Sequence, residues 1–182
     1  MPTWVALLRA VNVGGRKAPM VTVREALTEA GFRGVETHIQ TGNVRVDTTI
    51  RSPARVATAI RETLTAGLGF DVPVVVRRPQ EIVDLLDAIA GLPDPHPDGR
   101  TYVAFLDDPA RETVAAELES WDRPGEFVRV LDRHVVLRLA VPFHEAPKVT
   151  ARIDRAAPIV TLRDLRVVRA FACRWCAVPD GR

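Results

Sequence analysis

Apolar and polar positions change period several times along the chain, and each change marks an element. Thr3–Ala10 is dense in apolar residues on both faces, with Trp4, Ala6 and Leu8 on one side and Val5 and Leu7 on the other, which predicts a strand. Val23, Ala26, Leu27 and Ala30 recur at helical spacing, with Thr22 as the expected N-cap and Gly31 as the stop. Val35–Gln40 alternates, Thr41-Gly42-Asn43 is a hairpin signal, and Val44–Asp47 alternates again. Ser52 is placed to cap, and Pro53 to open, a helix whose stripe is Val56, Ala59, Ile60 and Leu64. Val72–Arg78 reads as a strand and Pro79–Leu92 as a helix.

Gly91–Arg100 breaks the pattern with two glycines, three prolines and no periodicity, the signature of a connection. Beyond it the order restarts: strand Thr101–Leu106, helix Pro109–Trp121, strand Glu126–Leu131, a tight turn at Asp132-Arg133 and strand His134–Ala140. Two helical stretches, Pro147–Ala156 and Thr161–Cys176, complete the reading. The predicted class is α+β, with two ferredoxin-like plait halves of βαββαβ type, the second irregular because its last element reads as helix. The expected boundaries are 1–92, a linker at 93–100, and 101–182.

A plait covers one sheet face with its helices and leaves the other open. The doubly apolar first strand therefore asks for cover from the other half, a second protomer or a ligand. At least one of Trp4 and Leu8 is expected to be buried by contacts from beyond residue 100 or from a homo-oligomeric partner.

Composition narrows the class. With 182 residues, 47% hydrophobic and 26% charged, the chain is globular in type. No apolar run approaches the roughly 20 residues that span a bilayer, and the start lacks the basic segment of a signal peptide. The expected location is the cytoplasm, with no membrane partner. Charge is unevenly spread: residues 76–125 carry five Arg against eleven Asp and Glu, whereas residues 148–174 carry seven cations against two acids. Mutual neutralisation within the chain outweighs a polyanion partner as the explanation.

The candidate chemistry gathers in "LLRAVNVGGRKAPM", Leu7–Met20. In a plait the loop after the first strand and the hairpin after the second leave the sheet at the same end. That would bring Asn12, Gly14, Gly15, Arg16 and Lys17 close to Gln40, Thr41, Gly42 and Asn43. Two readings compete. Glycines let a backbone approach a ligand and present N–H groups to a small anion, beside two cations. Alternatively, the same residues merely make turns, with Asn12 and Thr41 capping backbone groups. The spacing is neither G-x-G-x-x-G nor a P-loop.

These two stretches, Leu7–Met20 and Ile39–Asp47, closely resemble the opening signature of a bacterial family known as domain of unknown function 1697. The resemblance extends over nearly the whole chain. It implies a two-part plait and no established activity. The second half departs from that family's pattern, with Pro147-Lys148 in place of Ser-Lys and Arg163-Asp164-Leu165 in place of Arg-Asn-Trp.

The remaining motifs are weaker. Cys173-Arg-Trp-Cys176 falls at a helix end rather than a helix start, and no second pair exists to complete a zinc site, so two packed reduced thiols are expected. On a helix through Leu162–Cys176, an arc of Leu165, Val167, Val168, Phe171, Ala172 and Trp175 opposes Arg163, Arg166, Arg169 and Arg174, a stripe able to touch a polyanion, with Arg163, Arg166 and Arg169 as its candidate contacts. A solvated face ranks above nucleic acid for that stripe. No catalytic triad, paired carboxylates, metal site or cofactor motif emerges. The functional expectation is a non-catalytic binding or assembly module with an anion-accommodating loop end. The alternatives are an enzyme acting on a small phosphorylated or nucleotide substrate, and a weak nucleic-acid binder through the basic C-terminal helix.

Overall fold

The computed structural model describes residues 1–176. Its elements run β1 (Thr3–Leu8), α1 (Met20–Glu29), β2 (Arg33–His38), β3 (Asn43–Asp47), α2 (Pro53–Leu68), β4 (Val74–Arg77), α3 (Pro79–Ala90), β5 (Arg100–Leu106), α4 (Glu112–Glu119), β6 (Glu126–Leu131), β7 (His134–Leu139), α5 (Pro147–Ile153), β8 (Val160–Asp164) and α6 (Leu165–Trp175), with a short 3-10 turn at Phe143–Glu145. The result is a mixed α+β fold with two four-stranded antiparallel sheets, ordered β2-β3-β1-β4 and β6-β7-β5-β8.

The chain divides into two units. The first is Met1–Asp84 with the last turns of α6 from Phe171 onward, and the second is Leu85–Ala170. Both α3 and α6 therefore contribute residues to each unit. In the first unit, α1 and α2 pack on the sheet through Val23, Leu27, Val56, Ile60 and Leu64, against Trp4, Ala6, Leu8, Val44, Val46, Val74 and Val76. In the second, Val114, Leu118, Val149 and Ile153 of α4 and α5 meet Ala104, Leu106, Val135, Leu137 and Val160. The pairings agree between units: Val5 lies opposite Arg77 and Val103 opposite Arg163, while Ala6 faces Val44 and Ala104 faces Val135.

Local rules explain most boundaries. Ser52 caps α2 by accepting from the Arg55 N–H at 3.4 Å, Pro53 occupies the first turn, and Gly69 ends the helix in the left-handed region at φ 76°. In α1 the expected Thr22 cap is not used. Pro19, with φ −57°, starts the helix earlier, and no side chain caps it.

Two expectations are corrected. Thr161–Asp164 is not helix but part of β8, so the second unit has a complete set of four strands rather than an irregular end. The helical stripe Leu165, Val168, Phe171 and Ala172 extrapolates back through Thr161, which hid the strand. Pairing with β5 overrides that period, with Val160 in the core beneath the helices and Arg163 facing the other side. The second correction concerns Trp4 and Leu8. Both are buried, 2% and 1% exposed, but by the helices of their own unit. Val5 and Leu7 occupy the opposite face and are fully buried as well.

Candidate functional site

The loop after β1 and the turn between β2 and β3 do meet. Val13 and Arg16 form a bridge around Gly14 and Gly15, with the Arg16 N–H donating to the Val13 carbonyl at 3.1 Å and the Asn12 N–H to the Arg16 carbonyl at 2.8 Å. Both glycines have positive φ, 57° and 84°, as a two-residue hairpin of primed type requires. The glycine pair is therefore explained by the turn.

Asn12 joins the two segments. Its side-chain amide donates to the Gln40 carbonyl at 2.7 Å and to the Ala18 carbonyl at 3.0 Å, and its oxygen accepts from the Ala18 N–H at 2.9 Å. Asn43 works similarly, donating to the His38 carbonyl at 3.1 Å and to the Thr41 hydroxyl at 2.9 Å. Gly42 donates no side chain to the site. Its carbonyl accepts from the Leu8 N–H at 2.8 Å, and a Cβ there would stand 2.6 Å from Val11 Cγ2. Arg16 and Lys17 are exposed, with the Arg16 guanidinium 5.8 Å from the Phe70 ring centre. The predicted constellation is thus assembled, but its amides and glycines clasp backbone to backbone. Arg16 and Lys17 are the members left facing water.

A different cluster, absent from the sequence expectations except for two of its arginines, lines a cavity of about 350 Å³ within the second unit. The connection ahead of β5 supplies Asp94, His96 and Asp98, and β5 begins beside them with Arg100. Arg138 comes from β7, and Asp164 with Arg166 and Arg169 comes from the β8–α6 junction.

Arg138 is the unusual member, because its side chain is only 6% exposed. Nη2 donates to the Ile89 carbonyl at 3.1 Å and Nη1 is ion-paired with an Asp94 carboxylate oxygen at 3.1 Å, which leaves the buried Nε without a hydrogen bond. A buried donor without an acceptor costs about 1–3 kcal/mol. At the α6 end, Asp164 accepts from the Arg166 backbone N–H at 2.9 Å and from its guanidinium at 3.1 and 2.9 Å. The Arg166 guanidinium beside it, with Arg100 at 3.6 Å, holds the Asp164 carboxyl below its usual value although burial opposes this. Arg169 is exposed. Four arginines thus stand against three carboxylates around one space, and Arg100, Arg138 and Arg166 are paired with Asp164 or Asp94 there.

Arg163 does not belong to the exposed stripe with Arg166 and Arg169. It is 7% exposed within β8, donates to the Leu162 carbonyl and Thr161 hydroxyl at 2.8 Å each, and burial pushes its pKa down to about 10. Arg77 occupies the matching position of β4 and donates to the Val76 carbonyl at 2.8 Å. Residue-level periodicity on a presumed helix hid this placement, whereas pairing of Arg163 with Val103 settles it.

A model of the family described as "Protein of unknown function (DUF1697)" matches residues 1–135. The chain belongs to the DUF1697 family. No curated protein matches it. Among solved structures it is similar to a conserved bacterial protein from Streptococcus pneumoniae, with a TM-score of 0.75 at 18% identity, over 96% of this chain and 98% of that one. That likeness extends the common fold past residue 135, across the strand and helix ends that line the cavity.

The DUF1697 chain also carries its cysteines as free thiols one helical turn apart. Cys176 is buried, and burial with the neighbouring Cys173 pushes its pKa up to about 11. Such a thiol is a poor nucleophile and a poor metal ligand at neutral pH. Among the described residues no group of three or more His, Cys, Asp or Glu is placed to hold a metal ion, and no helix is long and apolar enough to cross a membrane.

Proposed function

We propose that this protein is a non-catalytic binding module of two ferredoxin-like plait halves, and that it takes a small anionic ligand in the arginine-lined cavity of the second unit. The observation that carries the reading is the gathering of Arg100, Arg138, Arg166 and Arg169 around one space, against Asp94, Asp98 and Asp164. An oxyanion entering the cavity adds charge opposite to that small local excess. The plait assignment is supported by the repeated βαββαβ order and the two matching strand orders. Cytoplasmic residence accords with two free cysteines one helical turn apart.

The test is thermal unfolding with inorganic phosphate at fixed ionic strength, set against chloride. The wild-type midpoint should rise with phosphate concentration, corresponding to about 2.7 kcal/mol once the ligand reaches 100 times its dissociation constant. Arg166→Ala/Arg169→Ala should lose that rise, and Arg16→Ala/Lys17→Ala should keep it. Loss in the second variant with retention in the first would move the anion site to the β1 loop end.

A further inference from the structure

Among the described residues five large apolar side chains are exposed, and they are not scattered. Met1 starts the chain, and the Phe143 ring lies 5.0 Å from that of Tyr102. The other three, Val13, Val21 and Ile39, belong to three segments that Asn12 ties together. Val13 follows Asn12 directly, and Ile39 precedes Gln40, whose carbonyl accepts from the Asn12 amide. Val21 stands three residues beyond Ala18, which bonds the same side chain through both its N–H and its carbonyl.

Ile39 is the informative member. It holds φ 49°, in the left-handed region where a β-branched residue is strained and Gly or Asn would be relaxed. It is also 46% exposed, so little core packing offsets that strain. Charge singles out the same end. Residues 9–24 and 37–46 carry five Arg and Lys and no Asp or Glu, and Arg16 and Lys17 are exposed. Asp71, whose charge Arg16 feels, is already held by Arg61 at 2.6 and 2.7 Å.

From these observations we infer that the β1 loop end of the first unit docks on the surface of an anionic phospholipid bilayer. Aliphatic side chains on three separate turns suit a deformable layer, which each can enter while the cations stay among the headgroups. Near an anionic leaflet each such cation raises partitioning about fivefold. A protein partner would need a relief matched to all three turns, and the Trp and Tyr anchors common at protein interfaces are absent from both segments. A nucleic acid would use the cations and leave the aliphatic side chains uncovered. Taking a turn out of water also demands that its backbone groups be bonded. Here the Val13, Arg16, Ala18 and Gln40 carbonyls all accept hydrogen bonds within the fold. Contact with a surface needs no spanning helix, so it stands apart from the expectation of no membrane partner, which rested on the lack of a spanning run.

The experiment is flotation of the full chain with vesicles of phosphatidylcholine, alone or mixed with phosphatidylglycerol in equal parts. The chain should bind the mixed vesicles about tenfold better or more, and added salt should weaken that binding. Arg16→Glu/Lys17→Glu should lose about tenfold or more, and Val13→Asp should lose severalfold. Ile39→Asn should also lose severalfold while its melting midpoint rises, because Asn relaxes the backbone there, so a folding defect would not explain the loss. Absence of binding to mixed vesicles, equal binding to both vesicle types, or unchanged binding in Val13→Asp and Ile39→Asn would each overturn the inference. Binding to polyglutamate but not to mixed vesicles, weakened in Ile39→Asn, would overturn it in favour of an acidic polypeptide.

Discussion

The two units place the same residue types at the same strand positions and then finish one end differently. In the first unit, Arg78 follows Arg77 at the end of β4, and its guanidinium lies 3.6 Å from the centre of the Trp4 ring. The Arg78 N–H donates to the Glu81 carboxylate at 2.6 Å, which fixes the start of α3. In the second unit, Asp164 follows Arg163, pairs across the ladder with Tyr102, and draws in Arg166 and Arg100. A cation laid over a buried aromatic closes the first end. Exchanging that cation for a carboxylate gathers arginines around a cavity in the second. One fold thus carries a packed end and a polar end, and the difference rests on a few side chains at matched places.

The largest effect that would sharpen this comparison is on stability. Trp4→Ala should cost about 3–5 kcal/mol, since it removes a fully buried ring together with its stack on Arg78. Tyr102→Ala should cost clearly less, because Tyr102 is only half-buried. Urea unfolding of both variants measures the gap, and equal losses would break the claim that only the first end is packed.

Next comes Gly42→Ala. The residue has φ 75°, and a Cβ would stand 2.8 Å from Leu8 Cβ as well as against Val11, so a loss of about 2–4 kcal/mol is expected from strain and overpacking together. Gly14→Ala, with φ 57° but open space around it, should lose only about 1–2 kcal/mol. A Gly14 loss equal to that at Gly42 would show that the tip of the loop is more constrained than its turn geometry requires.

Asn12→Ala follows, with an expected loss of about 1–3 kcal/mol as two donated bonds and one accepted bond disappear from a partly buried clasp. Its amides should also exchange faster in Val13–Lys17 than in wild type. Phosphate-induced stabilisation, by contrast, should be unaffected.

The smallest effect is a pH dependence in the first unit. Burial, and then the Arg174 charge, hold the His38 imidazole below its ordinary value of 6.5. As pH falls, the unfolded chain takes up the proton first, so stability from this residue is complete above about 6.5 and declines below it until the folded imidazole also titrates. His38→Gln should remove that part of the acid-side decline, as read from unfolding midpoints between pH 5 and 7.5. A steeper decline in the variant would contradict the sign.

Much of this was legible in the chain. Ser52-Pro53 announces α2, the alternation at Glu126–Leu131 matches β6 to the residue, and the apolar run at Thr3–Ala10 contains β1, an inner strand that ends two residues earlier, at Leu8. The meeting of the Asn12 loop with the Gln40 turn followed from strand order alone. What remained hidden was long-range. Nothing near Arg163 in sequence shows that β5 pairs with it, and Arg163 read as a helix-face cation for that reason. The cavity was equally hidden, because Asp94, Arg138 and Asp164 come from three segments and Arg138 reads as one polar position in a strand. Its burial is a tertiary property.

The central claim is that an anion enters the second unit and not the β1 loop end. Backbone amide shifts during a titration with inorganic phosphate test it most directly. The account predicts saturable shifts at Gly99–Thr101 and Leu165–Arg169, with Val13–Lys17 and Gln40–Asn43 unmoved. Saturable shifts confined to the Val13–Lys17 and Gln40–Asn43 amides would contradict it.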